Sequence, residues 1–190
     1  MKKYFKKARL YDKGVFVADY TQATHSRKGV VIATKEFEDI ASFYLENENE
    51  IPFWSINFEE HEAFFRNIEG QLISNCECMF LPKQKKGWVC LLELKYCYEY
   101  NIFRNQNKAS SQLDTTLAAL WCKGVLKRED VSKVYLNVAM PEYPQREPFV
   151  SFRRTQHQTL MDAYNKVIRL GNNHLAILDQ ENIRAVRKKI

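Results

Sequence analysis

The chain has 190 residues, 45% hydrophobic and 27% charged, which suits one α/β domain with its own core and excludes a disordered or collagen-like chain. Lys and Arg outnumber Asp and Glu 29 to 23, for a net charge of +6, a balance that favours polyanionic partners such as nucleic acid. No apolar run approaches the ~18–20 residues of a membrane span. The basic start Met1–Lys7 also lacks a signal-peptide core, and five irregularly spaced cysteines read as reduced thiols, so a cytoplasmic protein is expected.

In chain order, residues 1–50 read as an N-terminal extension. Gly14–Tyr20 and Gly29–Thr34 are β-rich runs that form a hairpin around the polar segment Thr21–Lys28. Thr34 can cap a helix from Lys35 to about Glu46, with Phe37, Ile40, Ala41, Tyr44 and Leu45 as its apolar stripe. A second helix starts at Ser55 or Asn57 and stops at Gly70. Two strands follow, Leu72–Leu81 and Trp88–Tyr96, joined by the lysine-rich turn Pro82–Gly87, with a third strand preceding or edging them left open. Ala109–Leu126 reads as a helix, Val134–Met140 as a strand, Gln156–Leu170 as a helix, His174–Asp179 as a strand and Gln180–Ile190 as a basic tail. The order predicts a mixed sheet with helices on both faces: an extension over 1–50, a core over 57–140 and a C-terminal part over 141–190 of a single domain.

Charge inside an apolar strand marks the candidate site. Residues two apart in a strand share a face, so Glu93 and Lys95 project together from the run Val89–Lys95 while Leu92 and Leu94 face the core. A turn centred near residue 85 sets Glu77 opposite Glu93. Like charges that close repel unless a divalent cation lies between them, and Mg²⁺ takes carboxylates, water and phosphate oxygens. A lysine on the same face neutralises charge developing on a phosphate. The arrangement suits metal-assisted phosphodiester hydrolysis. Read blandly, the same residues form a solvated ion pair.

Glu77 followed by Glu93-x-Lys95 on the next strand resembles the PD-(D/E)xK nuclease signature, with Cys76-Glu77 in place of Pro-Asp. Lys108-Ala109-x-x-Gln112-Leu113 is similar to the Ala-x-x-Gln-Leu helix that follows this strand in several branches. The resemblance covers roughly 57–140. It implies a restriction-endonuclease-like core, Mg²⁺ or Mn²⁺, and cleavage of DNA or RNA. It further implies Glu77 and Glu93 as metal ligands, Glu69 assisting at the metal, Lys95 as the charge-stabilising residue, and Gln112 on the metal-bound water or the phosphate backbone. Glu77 stands where the family usually has Asp, which moves the carboxylate by one C–C bond, ~1.5 Å. A catalytically degenerate module that binds nucleic acid or protein is therefore the alternative reading.

Lys83, Lys85, Lys86, Arg153 and Arg154 are candidate phosphate contacts, and Tyr96, Tyr98, Tyr100 and Phe103 are candidate platforms for unpaired bases. Cys76-x-Cys78 has no second ligand pair for zinc and reads as two buried thiols on the face opposite Glu77. A homodimer is left open.

Overall fold

Strands that alternate buried and partly exposed side chains, and strands buried along most or all of their length, build two mixed sheets, which a computed structural model describes for residues 3–25, 28–84, 86–143 and 156–186. The six-stranded sheet uses β1 (Arg9–Tyr11), β5 (Phe53–Asn57), β6 (Cys78–Pro82), β7 (Gly87–Leu94), β8 (Val131–Ala139) and β9 (Val167–Leu170), in the order β1-β5-β6-β7-β8-β9. The strands from β1 to β7 pair antiparallel, and β8 and β9 continue in parallel. The five-stranded sheet uses β2 (Val15–Asp19), β3 (Val30–Ala33), β4 (Phe43–Glu46), β10 (His174–Ile177) and β11 (Ile183–Ala185), in the order β11-β10-β4-β2-β3.

The two sheets pack face to face. Phe53, Phe80, Trp88, Cys90 and Leu92 of the larger sheet meet Val15, Val17, Phe43, Leu45 and Leu175 of the smaller. The other face of the larger sheet carries Met79, Val89, Leu91, Val134 and Leu136 against Ala109, Leu113, Leu117 and Leu120 of helix α2 (Ile102–Cys122). The structure is thus layered helix, sheet, sheet. The expected helices on both faces are corrected: α2 covers one face of the larger sheet and the smaller sheet covers the other.

The N-terminal hairpin forms in the expected place. β2 and β3 pair from Phe16↔Ala33 to Asp19↔Val30, around the short helix α1 (Tyr20–Thr24). Gly29 takes φ +71°, and a Cβ there would lie 2.3 Å from the Glu59 carboxylate, so a side chain at this position would be strained and would have to displace Glu59. The helix expected over Lys35–Glu46 is absent. Phe43 and Leu45 are buried while Tyr44 and Glu46 are half-buried, a period of two, and the segment is β4.

The helix expected to run to Gly70 shortens to a 3-10 segment, Phe58–Phe65, kinked at His61. Gln156–Leu170 is split: α3 (Gln156–Tyr164) ends, Lys166 adopts φ 57°, and β9 begins. Within the expected basic tail, Ile183–Ala185 forms the edge strand β11, while 187–190 lie outside the described residues. No helix among the described residues is long and apolar enough to cross a membrane.

Candidate functional site

β7 is buried along its whole length, and its apolar run fills both cores before it ends in charge. Glu93 is fully buried, Lys95 is 4% exposed, and the Lys95 ammonium donates to Glu93 Oε1. Glu93 Oε2 is buried with no hydrogen-bond partner among the described residues. A charged oxygen left this way in a low-dielectric site calls for a cation or a proton. Burial pushes the Glu93 carboxyl up, to about 7, against the pull of Lys95, with Asp19 raising it further and Lys108 lowering it.

β6 brings Glu77 within electrostatic reach of Glu93, though not directly opposite it as the turn centre near 85 predicts. The ladder runs Cys78↔Leu92, Met79↔Leu91 and Phe80↔Cys90, and one step beyond it the Glu77 N–H donates to the Leu92 carbonyl at 3.1 Å. Glu77 and Cys78 thus both face Leu92, an extra residue of the kind that bends a strand end. This corrects the expectation for the two thiols. Cys76 enters the core beneath α2 and Cys78 the core between the sheets, so they lie on opposite faces. Burial raises the Glu77 carboxyl well above the usual carboxylate range; Glu93 and Asp19 add to the rise, Lys95 opposes it, and Glu59 adds a little more.

Asp19 arrives from the other sheet. It ends β2, is 3% exposed, and caps α1 by accepting the Gln22 N–H at 3.1 Å. Gln22 Nε2 in turn donates to Glu77 Oε1 at 3.1 Å. Asn57 and Glu59 close the same end: Asn57 Nδ2 donates to the Val30 carbonyl, and Glu59 Oε2 accepts the Val30 N–H at 2.7 Å. Asp19, Gln22 and Lys108 are the residues that sequence reasoning missed as part of the site. The one local signal was an acid closing the apolar run Val15–Ala18.

Gln112 lies on α2, where its Nε2 donates to the Asn75 carbonyl at 3.0 Å and its Oε1 is buried without a partner among the described residues. One turn on, Thr116 Oγ1 accepts the Cys76 N–H at 2.8 Å. Together they fix the segment that enters Glu77. Glu69 is exposed in the turn after the 3-10 segment and is not among the charges that weigh most on Glu77 or Glu93. Lys83 and Lys86 are exposed in the β6–β7 turn. At ~3.3 Å per residue, that turn is about 23 Å along β7 from Glu93. Lys85, Arg153 and Arg154 lie outside the described residues.

The structure therefore joins Glu93 and Lys95 in direct contact and sets Glu77, Asp19 and Lys108 within electrostatic reach of them. Among the described residues no three His, Cys, Asp or Glu side chains are grouped so as to hold a metal ion by themselves. Two buried acids whose carboxyls are raised by burial, near one buried ammonium, offer hard oxygens to a cation or a proton. No protein-family model, curated protein or solved structure matches the chain.

Proposed function

We propose that the chain is a metal-dependent nuclease-like protein that hydrolyses phosphodiester bonds in DNA or RNA, with β5–β8 and α2 as a restriction-endonuclease-like core. The observation that carries this reading is the buried Glu93–Lys95 pair at the end of β7, with Glu93 Oε2 unsatisfied among the described residues and Glu77 within electrostatic reach. The order of two antiparallel strands, a helix and a parallel strand through 78–139 supports it further.

On this reading Glu77 and Glu93 are the donors for Mg²⁺ or Mn²⁺. Both acids offer hard oxygens, and Mg²⁺ is commonly held by one or two carboxylates with water and phosphate completing its shell. Glu77 and Glu93 would hold the ion, which when bound supplies charge neutralisation at the phosphate and a more acidic water. Gln22 holds Glu77 in place through Oε1. Lys95 fixes Glu93 Oε1 and keeps a positive charge where the phosphate would gain negative charge. Gln112 and Thr116 position the segment that carries Glu77.

Incubation of purified protein with single- and double-stranded DNA and RNA, with Mg²⁺ or Mn²⁺ and with chelator, tests the proposal. Metal-dependent cleavage that falls ~10²-fold or more in both Glu93→Ala and Lys95→Ala is expected, the scale on which one charge-stabilising group acts. Cleavage that persists in Glu93→Ala removes this site from the reaction.

One observation favours a second reading, a degenerate module that binds nucleic acid or protein: Lys95 is already neutralised by Glu93, as in a buried ion pair with a structural role. Nucleic-acid binding without cleavage in any metal would select it.

A further inference from the structure

Beside the carboxylates opens a cleft of about 340 Å³, within the ~300–1,000 Å³ range of small-molecule sites. Gln22 belongs to its wall and also donates to Glu77 Oε1, so cleft and site share a side chain. His25, Asn101, Asn105 and Glu142 bring further polar groups, and among the described residues no lysine or arginine lines the cleft. Tyr98 is part of the same wall. Its ring stacks on Tyr100 with centroids 5.7 Å apart and planes within 4°, while the two residues are 72% and 80% exposed. Phe103, at the start of α2, is 76% exposed. Two stacked rings left this open at the wall of a polar cleft form an apolar step with no protein cover among the described residues.

The chemistry of the wall selects its occupant. Amide side chains both donate and accept, as base edges do. A carboxylate in the wall, with no lysine or arginine lining it among the described residues, disfavours a phosphate. Flat, solvent-facing rings suit another flat ring, and stacking on them is open to any base. A base in a duplex is already stacked and paired, and a cleft can take it only when it is unpaired. We infer that the cleft and the Tyr98–Tyr100 step seat unpaired bases of single-stranded nucleic acid flanking the phosphate presented to Glu77 and Glu93. The inference rests on the nucleic-acid part of the proposed function and narrows its substrate to single strands.

The test measures binding in chelator, so that it does not depend on cleavage. Fluorescence anisotropy compares a labelled oligothymidylate, the same backbone with abasic sites, and a duplex of equal length. The protein is compared with the Tyr98→Ala/Tyr100→Ala double variant, whose replaced rings are exposed and whose melting temperature should match the parent. The parent should bind the oligothymidylate at least tenfold more tightly than the abasic strand or the duplex. The double variant should lose about tenfold on the oligothymidylate, on the scale of one stacked base, and nothing on the abasic strand. Equal binding of the abasic strand, preference for duplex, an unchanged double variant, or no binding at all would each overturn the inference. Metal-dependent cleavage of duplex together with any of these keeps the hydrolase and discards the cleft. Tyrosine-dependent binding without cleavage in any metal keeps the cleft and discards the hydrolase.

Discussion

Gln22 donates through Nε2 to Glu77 Oε1 at 3.1 Å and so ties the first hairpin of the chain to a carboxylate on a different sheet. The bond spans 55 residues. Gln22 also follows Asp19, whose charge weighs on both Glu77 and Glu93. The smaller sheet therefore completes the site as well as covering the core.

Removing that tie should loosen Glu77 without unfolding the protein, because Gln22 is only half-buried. Gln22→Ala is expected to weaken Mn²⁺ binding by ~10-fold, the lower end of the range for losing a side chain that orients a metal ligand. Calorimetric titration checks it. In the same experiment Glu77→Asp supplies the shorter acid that the proposed nuclease-like reading calls for, and tighter binding is expected if side-chain length outweighs the Gln22 tie.

Glu77 and Glu93 also predict how metal-free protein responds to pH. Burial raises both carboxyls above their unfolded values, so the folded state holds their protons more tightly. Their contribution to stability is present below the ordinary carboxylate value of about 4.5. It is lost as pH rises through the folded value, which for Glu93 is about 7. In chelator the melting temperature should fall between about pH 5 and pH 8. Glu77→Gln should flatten that fall and raise the melting temperature at pH 8, since the amide cannot ionise yet still accepts from Gln22. Adding Mg²⁺ at pH 8 should stabilise the parent more than the variant.

Arg169 anchors the other end of the larger sheet. Its guanidinium donates to both oxygens of Asp162 on α3 and both of Asp114 on α2, at 2.8–3.1 Å. The Arg169 side chain is 9% exposed. Arg169→Ala leaves the buried Asp162 carboxylate without the guanidinium and should cost about 3–5 kcal/mol in denaturant unfolding. Arg169→Lys should recover only part, because a point charge cannot span two carboxylates in parallel.

Thiol labelling tests the layering. Cys122 is exposed and Cys97 is partly so, while Cys76, Cys78 and Cys90 are buried in the two cores, with thiols raised by burial. A maleimide should modify Cys122 first and Cys97 more slowly, and reach the other three only on unfolding. Rapid native labelling of Cys78 would contradict the packing of the smaller sheet over β6.

The parts of this fold legible in the sequence were those fixed by short-range pattern. The β6–β7 turn is local, and an apolar run ending in Glu-x-Lys marks β7 and the side that Glu93 and Lys95 share. β4 was misread because Phe37, Ile40, Ala41, Tyr44 and Leu45 have helical spacing, yet Leu45 pairs with Val15 and Leu175, partners that no local window contains. β9 was hidden by Lys166, whose left-handed backbone ends the helical run with no glycine to signal it. Asp19 and Gln22 escaped for a similar reason: their relation to Glu77 exists only once the two sheets are packed.

The placement of β4 sets the order in which the molecule can be assembled on the ribosome. It lies between β2 and β10 and pairs with His174–Ala176. The early hairpin must wait for a segment translated more than a hundred residues later before its own sheet is complete. Until that strand emerges, Asp19 and Gln22 lack a finished platform, so a stalled nascent chain carries Glu77 without the framework that holds its Gln22 partner.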